Sequence, residues 1–271
     1  MKKTIWNPWH GCRKLSEGCQ NCYVYYFDGE RGKNASQVYR VKDCNFYYPI
    51  RRDKRGDYKV KSGEMIYVCL TSDFFLEEAD AWRKEAWDII RMRTNVGFVI
   101  ITKRVARVLR CLPNDWGDGW ENVWLHATAE NQRRADERLP ILLSLPFKHK
   151  GIVVAPFIER VSLGKYLSTG AIEQVSCGGE NYRAARPLNY DWVKQLSMEC
   201  RAHDVTFTFF ETGQVFVKEG EQRIITNKLE QARYALSLGL DYQSTKVSAF
   251  HLQKQNNYAQ GELFESLASD V

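Results

Sequence analysis

The sequence predicts an α/β protein whose parallel strands curl into an open or closed barrel. Three observations carry this. Six apolar, β-rich runs alternate with helix-patterned stretches from Gly63 to Phe210. Five of the six strand-to-helix junctions carry polar residues or glycines, as the ligand-binding ends of such sheets do. A cysteine-rich stretch, Cys12-Arg13-Lys14-Leu15-Ser16-Glu17-Gly18-Cys19-Gln20-Asn21-Cys22, precedes the repeating part. Six β-α units in series favour parallel pairing, and crossover handedness curls the sheet one way.

The strands are expected at Met65–Thr71, Gly97–Thr102, Val123–Ala129, Gly151–Ala155, Ile172–Cys177 and Val205–Phe210. Helices are expected over Glu77–Arg91, with Trp82, Ala86, Ile89 and Ile90 on one side, and over Val105–Cys111. A third spans about Asn131–Leu143, which Pro140 is expected to end or kink. Leu163–Leu167, Tyr190–His203 and Lys228–Leu238 complete the set. The junctions are Ser72-Asp73-Phe74, Thr102-Lys103-Arg104, Thr128-Ala129-Glu130-Asn131, Ala155-Pro156-Phe157, Gly178-Gly179-Glu180-Asn181 and Glu211-Thr212-Gly213. Ordinary turn chemistry accounts for some of these residues. After Gly213 the pattern decays, so residues 1–240 are read as one unit and 241–271 as a peripheral tail.

A chain of 271 residues with 44% hydrophobic and 27% charged residues can bury one sizeable core. No stretch reaches the apolar length of a membrane span, and no apolar signal core follows Met1-Lys2-Lys3, so no membrane partner and a cytoplasmic location are expected. The eight cysteines are then free thiols of a reducing compartment. The net charge of +6 is concentrated: residues 31–62 hold ten basic side chains against three acidic ones, interleaved with Tyr39, Phe46, Tyr47, Tyr48 and Tyr58. Basic and aromatic residues together suit a nucleic-acid surface. The plain alternative is a solvated loop.

The three thiols of the N-terminal stretch have the spacing C-x6-C-x2-C, flanked by Gly11 and Gly18. Cys12, Cys19 and Cys22 are one ligand short of a closed four-thiolate site. A 4Fe-4S cluster held by all three keeps one iron open to a small molecule. Zinc with His10 as fourth ligand satisfies the same stretch, and three unrelated buried thiols are the third reading.

Trp6-Asn7-Pro8, Gly11-Cys12, Gly18-Cys19, Asn21-Cys22-Tyr23, Thr102-Lys103-Arg104, Glu130-Asn131, Gly178-Gly179-Glu180, Arg186-Pro187 and Asp191-Trp192, in that order, resemble the phage-associated three-Cys-motif family, a domain of unknown function related to the radical S-adenosylmethionine (radical SAM) enzymes. The match runs from Trp6 to about Gly213. The resemblance implies a partial (β/α)6 TIM-like barrel of the radical SAM type, with the cysteine loop at its mouth holding a 4Fe-4S cluster. It further implies that S-adenosyl-L-methionine binds the open iron and, on one-electron reduction, is cleaved to a 5′-deoxyadenosyl radical. An electron donor is therefore an implied partner. The chain departs from the usual superfamily pattern in three places. Its first cysteine gap is x6 rather than x3, its Gly-Gly-Glu follows the fifth strand rather than an early one, and Ala155-Pro156 stands where the family has Glu-Pro.

Cofactor-binding roles follow for the junction residues. Thr128, Glu130 and Asn131 are candidates for the ribose hydroxyls, although Thr128 or Asn131 as a helix N-cap explains them as well. Lys103 or Arg104 is the candidate for the methionine carboxylate or a substrate phosphate. Gly178 and Gly179 permit close backbone approach to adenine, and Glu180 is a candidate hydrogen-bond acceptor. Three functions remain open: a radical SAM-like enzyme on an unidentified substrate, with nucleic acid or a nucleotide favoured by the basic segment; a zinc-stabilised nucleic-acid-binding protein without catalysis; and a cluster-bearing module that serves a partner protein.

Overall fold

The structure is a computed structural model that describes residues 4–182 and 184–246. Seven strands form the main sheet: β1 (Thr4–Trp6), β2 (Met65–Val68), β3 (Gly97–Thr102), β4 (Val123–Thr128), β5 (His149–Val154), β6 (Gln174–Gly178) and β7 (Thr206–Glu211). Every neighbouring pair is parallel, and the order in space is the order in the chain. With no reversal of order, every crossover passes over the same face, and the sheet curls into a half-barrel with β1 and β7 as its two edges.

All six expected strands are present, and the count rises to seven. β1 is three residues long, too short to show a period, and its pairing of Ile5 with Tyr67 places it beside β2. The expected strand Met65–Thr71 stops at Val68 because Cys69 takes a left-handed backbone, φ 59°. β1 and β2 are joined by the cysteine stretch, helix α1 (Tyr23–Glu30) and the basic segment.

One side of the sheet carries Ile66, Val68, Phe98, Ile100, Leu125, Ile152, Val175 and Phe207, all buried in one core. Helices α2 (Asp80–Met92), α3 (Gln132–Ser144) and α4 (Tyr190–Ala202) press Ile89, Ile90, Leu139, Leu142, Val193 and Leu196 onto it. Each such side chain removed from water contributes roughly 1.5–3 kcal/mol. Pro140 does not end α3. Leu139 and Leu142 are both fully buried, and that packing carries the helix past the missing N–H.

The pattern that fades after Gly213 still folds. Val215–Lys218 and Glu221–Ile224 form an antiparallel hairpin, and Leu188–Asn189 joins it in parallel. Glu219 and Gly220, with φ of 54° and 80°, make the mirror-image turn that matches strand twist. Helix α5 (Lys228–Ser237) follows. Tyr242 then exchanges two backbone hydrogen bonds with Phe207, of 2.8 and 3.0 Å, so the start of the expected tail lies along β7. The rest of that tail, 247–271, lies outside the described residues.

Candidate functional site

Parallel strands in a half-barrel bring their carboxyl ends to one rim, and the cysteine stretch lies across that rim. Gly11 starts it with φ 87°. A β-carbon there would meet the Gln37 carbonyl oxygen at 2.4 Å, so only glycine passes. Cys12 follows, its N–H bonded to the Ala35 carbonyl at 2.8 Å. Cys19 closes a short 3-10 turn, Glu17–Cys19, and Cys22 is the N-cap of α1.

Four strand ends hold the stretch. After β3, Arg104 donates to the Arg13 carbonyl at 2.7 Å, and its Nη1 lies 3.8 Å from the Cys12 sulfur. Asp73, after β2, aims that guanidinium. Its Oδ2 accepts from Arg104 Nη1 at 3.3 Å and from the Lys103 N–H at 3.0 Å, and its Oδ1 accepts from Thr102 Oγ1 at 2.8 Å. After β4, Glu130 accepts from the Ser16 hydroxyl. Gly18 packs so closely on Glu130 that a β-carbon would meet its carboxylate at 2.8 Å. After β6, Glu180 accepts from Asn21 at 2.9 Å and from Arg186 at 2.5 Å, while Arg186 also donates to the Glu17 carbonyl at 3.0 Å. Glu17 itself pairs with Arg134 of α3 at 2.9 Å.

Each carboxylate beneath the stretch has a cation beside it. Glu130 is fully buried, with Arg138 Nη1 at 2.7 Å and Lys103 Nζ at 4.0 Å. Burial pushes its carboxyl up, but Lys103 and Arg138 outweigh that and hold it at about 2. Burial likewise acts against Glu180, and Arg186 with Asn21 keeps it below the usual carboxylate range. The thiols move the other way. Burial, with Asp73 adding and Arg104 opposing, pushes Cys12 up to about 12. Burial also raises Cys22, against the backbone N–H groups of Val24 and Tyr25. A cation or cluster would take these thiols as thiolates and release their protons.

Of the expected residues, Cys12, Cys19, Cys22, Lys103, Thr128, Glu130 and Glu180 meet at this rim. Thr128 Oγ1 accepts from Arg138 at 2.8 Å and from Lys103 at 3.3 Å. Asn131 is the N-cap of α3, its side chain accepting the Arg134 N–H at 2.9 Å. Gly178 and Gly179 are small for internal reasons. A β-carbon on Gly178 would strike the Phe210 ring at 2.3 Å, and one on Gly179 the Thr212 carbonyl at 2.2 Å. His10, the fourth ligand of the zinc reading, gives its Nε2 to Asp28 of α1 at 2.9 Å. Among the described residues, no group of three or more His, Cys, Asp or Glu side chains is arranged to hold a metal ion.

Arg138 is the residue that sequence reasoning missed. Its signal was available, since it shares the buried face of α3 with Ala135, Leu139 and Leu142, where a cation needs a partner.

The fold and site together define an α/β half-barrel protein with a cysteine-bearing loop strapped across the carboxyl ends of its strands. The chain belongs to the family described as "Protein of unknown function (DUF5131)", whose model matches residues 1–268. No curated protein and no solved structure matches it. No helix of the described residues is long and apolar enough to cross a membrane.

Proposed function

We propose that this protein is a radical SAM-like iron–sulfur enzyme in which Cys12, Cys19 and Cys22 hold a 4Fe-4S cluster at the rim of the half-barrel. One observation carries the reading: the three-cysteine stretch is tied by Arg104, Glu130, Glu180 and Arg186 to the strand ends where such sheets bind ligands. The resemblance to the phage-associated three-Cys-motif family supports it.

Three thiols on one short loop, Cys12, Cys19 and Cys22, are the ligand type such a cluster takes, and three of them leave one iron open to a small molecule. When bound and reduced, the cluster would supply the electron that cleaves S-adenosyl-L-methionine. The chain's own residues orient and shield. Arg104, fixed by Asp73, places positive charge beside the Cys12 sulfur. Lys103, partly exposed next to Glu130 and Thr128, is the cation available to the carboxylate of the bound cofactor.

The test is anaerobic purification with iron and sulfide analysis, followed by electron paramagnetic resonance of the reduced protein with and without S-adenosyl-L-methionine. The expected result is a cluster signal that changes on adding the cofactor, slow formation of 5′-deoxyadenosine with dithionite, and loss of iron in Cys19→Ala but not in Cys44→Ala. Full iron retention in Cys19→Ala, or zinc in place of iron, overturns the proposal.

A further inference from the structure

Residues 51–61 carry a short basic ribbon, a turn closed by a single bridge. Arg52 and Tyr58 bridge antiparallel, the Lys59 N–H bonds the Arg51 carbonyl at 2.9 Å, and the Asp53 N–H bonds the Asp57 carbonyl at 2.8 Å. The tip is turned by Gly56, φ 86°, and by Asp53, whose carboxylate accepts the N–H groups of Arg55 and Asp57. The base is anchored in the protein. Arg93, only 1% exposed, donates to the carbonyls of Pro49 and Val60, and its guanidinium lies 3.9 Å from the centre of the Tyr58 ring. The ribbon is therefore an exposed turn with a buried anchor.

Its charge is one-sided. Six basic side chains, Arg51, Arg52, Lys54, Arg55, Lys59 and Lys61, stand exposed against two carboxylates, and one of these, Asp53, is occupied by the turn. Among the described residues, Lys54, Arg55 and Lys59 make no side-chain hydrogen bond or ion pair. This net +4 sits on a chain whose total is +6.

The aromatic residues of the segment are spent inside it. Phe46 is buried under the Arg40 guanidinium, Tyr47 donates to Glu85, and Tyr48 packs on the core. Tyr58 lies against both Arg52, at 4.0 Å, and Arg93. Tyr39 is exposed, but it belongs to a separate strand beside His10. Single strands are gripped by aromatic platforms that stack on bases, and the ribbon has none to offer. What it offers is cations on an exposed turn, and a duplex, with one phosphate per about 1.7 Å of axis, answers them more densely than a single strand does.

We infer that the ribbon 51–61 is a docking surface for the phosphate backbone of duplex nucleic acid. This inference stands independently of the cluster. The test measures fluorescence anisotropy of a labelled 20-base-pair DNA duplex, an RNA duplex and a single strand of equal length, with the full chain, over a range of salt. If all six cations engage, the slope of log K against log salt is about −5.4 for B-DNA. Replacing Lys54, Arg55 and Lys59 together by Gln removes three contacts and brings the slope to about −2.7. These side chains are exposed, so an unchanged thermal melt is expected alongside. Tighter binding of either duplex than of the single strand, with that change of slope, supports the inference. The inference fails if the wild type ignores both duplexes at low salt, if it prefers the single strand, or if the triple variant keeps the slope. Equal competition by polyglutamate of matched charge also overturns it, because that marks an acidic protein as the partner.

Discussion

Replacing Glu130 by Gln removes the buried negative charge that holds Arg138 and Lys103 in place. The magnitude follows from the structure. The carboxyl is fully buried and held at about 2, against an ordinary value of 4.5, with burial raising it and Lys103 and Arg138 lowering it further. A gap of roughly 2–3 pH units, at about 1.4 kcal/mol each, corresponds to about 3 kcal/mol of stability. Because the folded value is depressed, this contribution is complete above pH 4.5 and is lost as pH falls toward 2. Loss of one partner from a buried pair costs about 3–5 kcal/mol, the same range, since Arg138 is left without its anion. In a chain of this size, about 2–4 °C per kcal/mol makes the expected fall in Tm about 6–12 °C at pH 7. At pH 3 the difference between variant and wild type should shrink to about 1 kcal/mol. Circular-dichroism melts of both proteins at the two pH values are the assay. A variant as stable as wild type at pH 7, or a gap that is the same at pH 3, refutes the electrostatic account.

Two further substitutions probe the frame around the site. Arg93→Met leaves the Pro49 and Val60 carbonyls without their buried donor and should cost about 2–4 kcal/mol. Trypsin should then cut at Lys54 or Arg55 faster than in wild type, and an unchanged digestion pattern would show that Arg93 does not anchor the ribbon. Gly179→Ala sets a β-carbon 2.2 Å from the backbone oxygen of Thr212, so the junction after β6 must shift, at about 1–3 kcal/mol. A variant with wild-type melting would mean that this contact relaxes freely.

Much of the architecture was legible because it repeats. Runs such as Gly97–Thr102, buried along nearly their whole length, announce parallel strands, and the intervening helical periods fix the crossover type. The cysteine spacing, the junction residues and the basic segment were likewise visible, since each is a local pattern of residue types. The tertiary structure decided what local pattern cannot carry. β1 exists only because Ile5 finds Tyr67 from far along the chain. Arg138 and Glu130 become partners only when α3 lies back on β4. The Gly178-Gly179 pair, open on paper, proves to be filled by Phe210 and Thr212. The basic segment is tied at its base by a buried Arg93 more than thirty residues from its tip. The physical reason is common to these cases. Periodicity and turn chemistry act between near neighbours and are written in the sequence, whereas burial, charge pairing and close approach depend on which distant residues the curled sheet brings together.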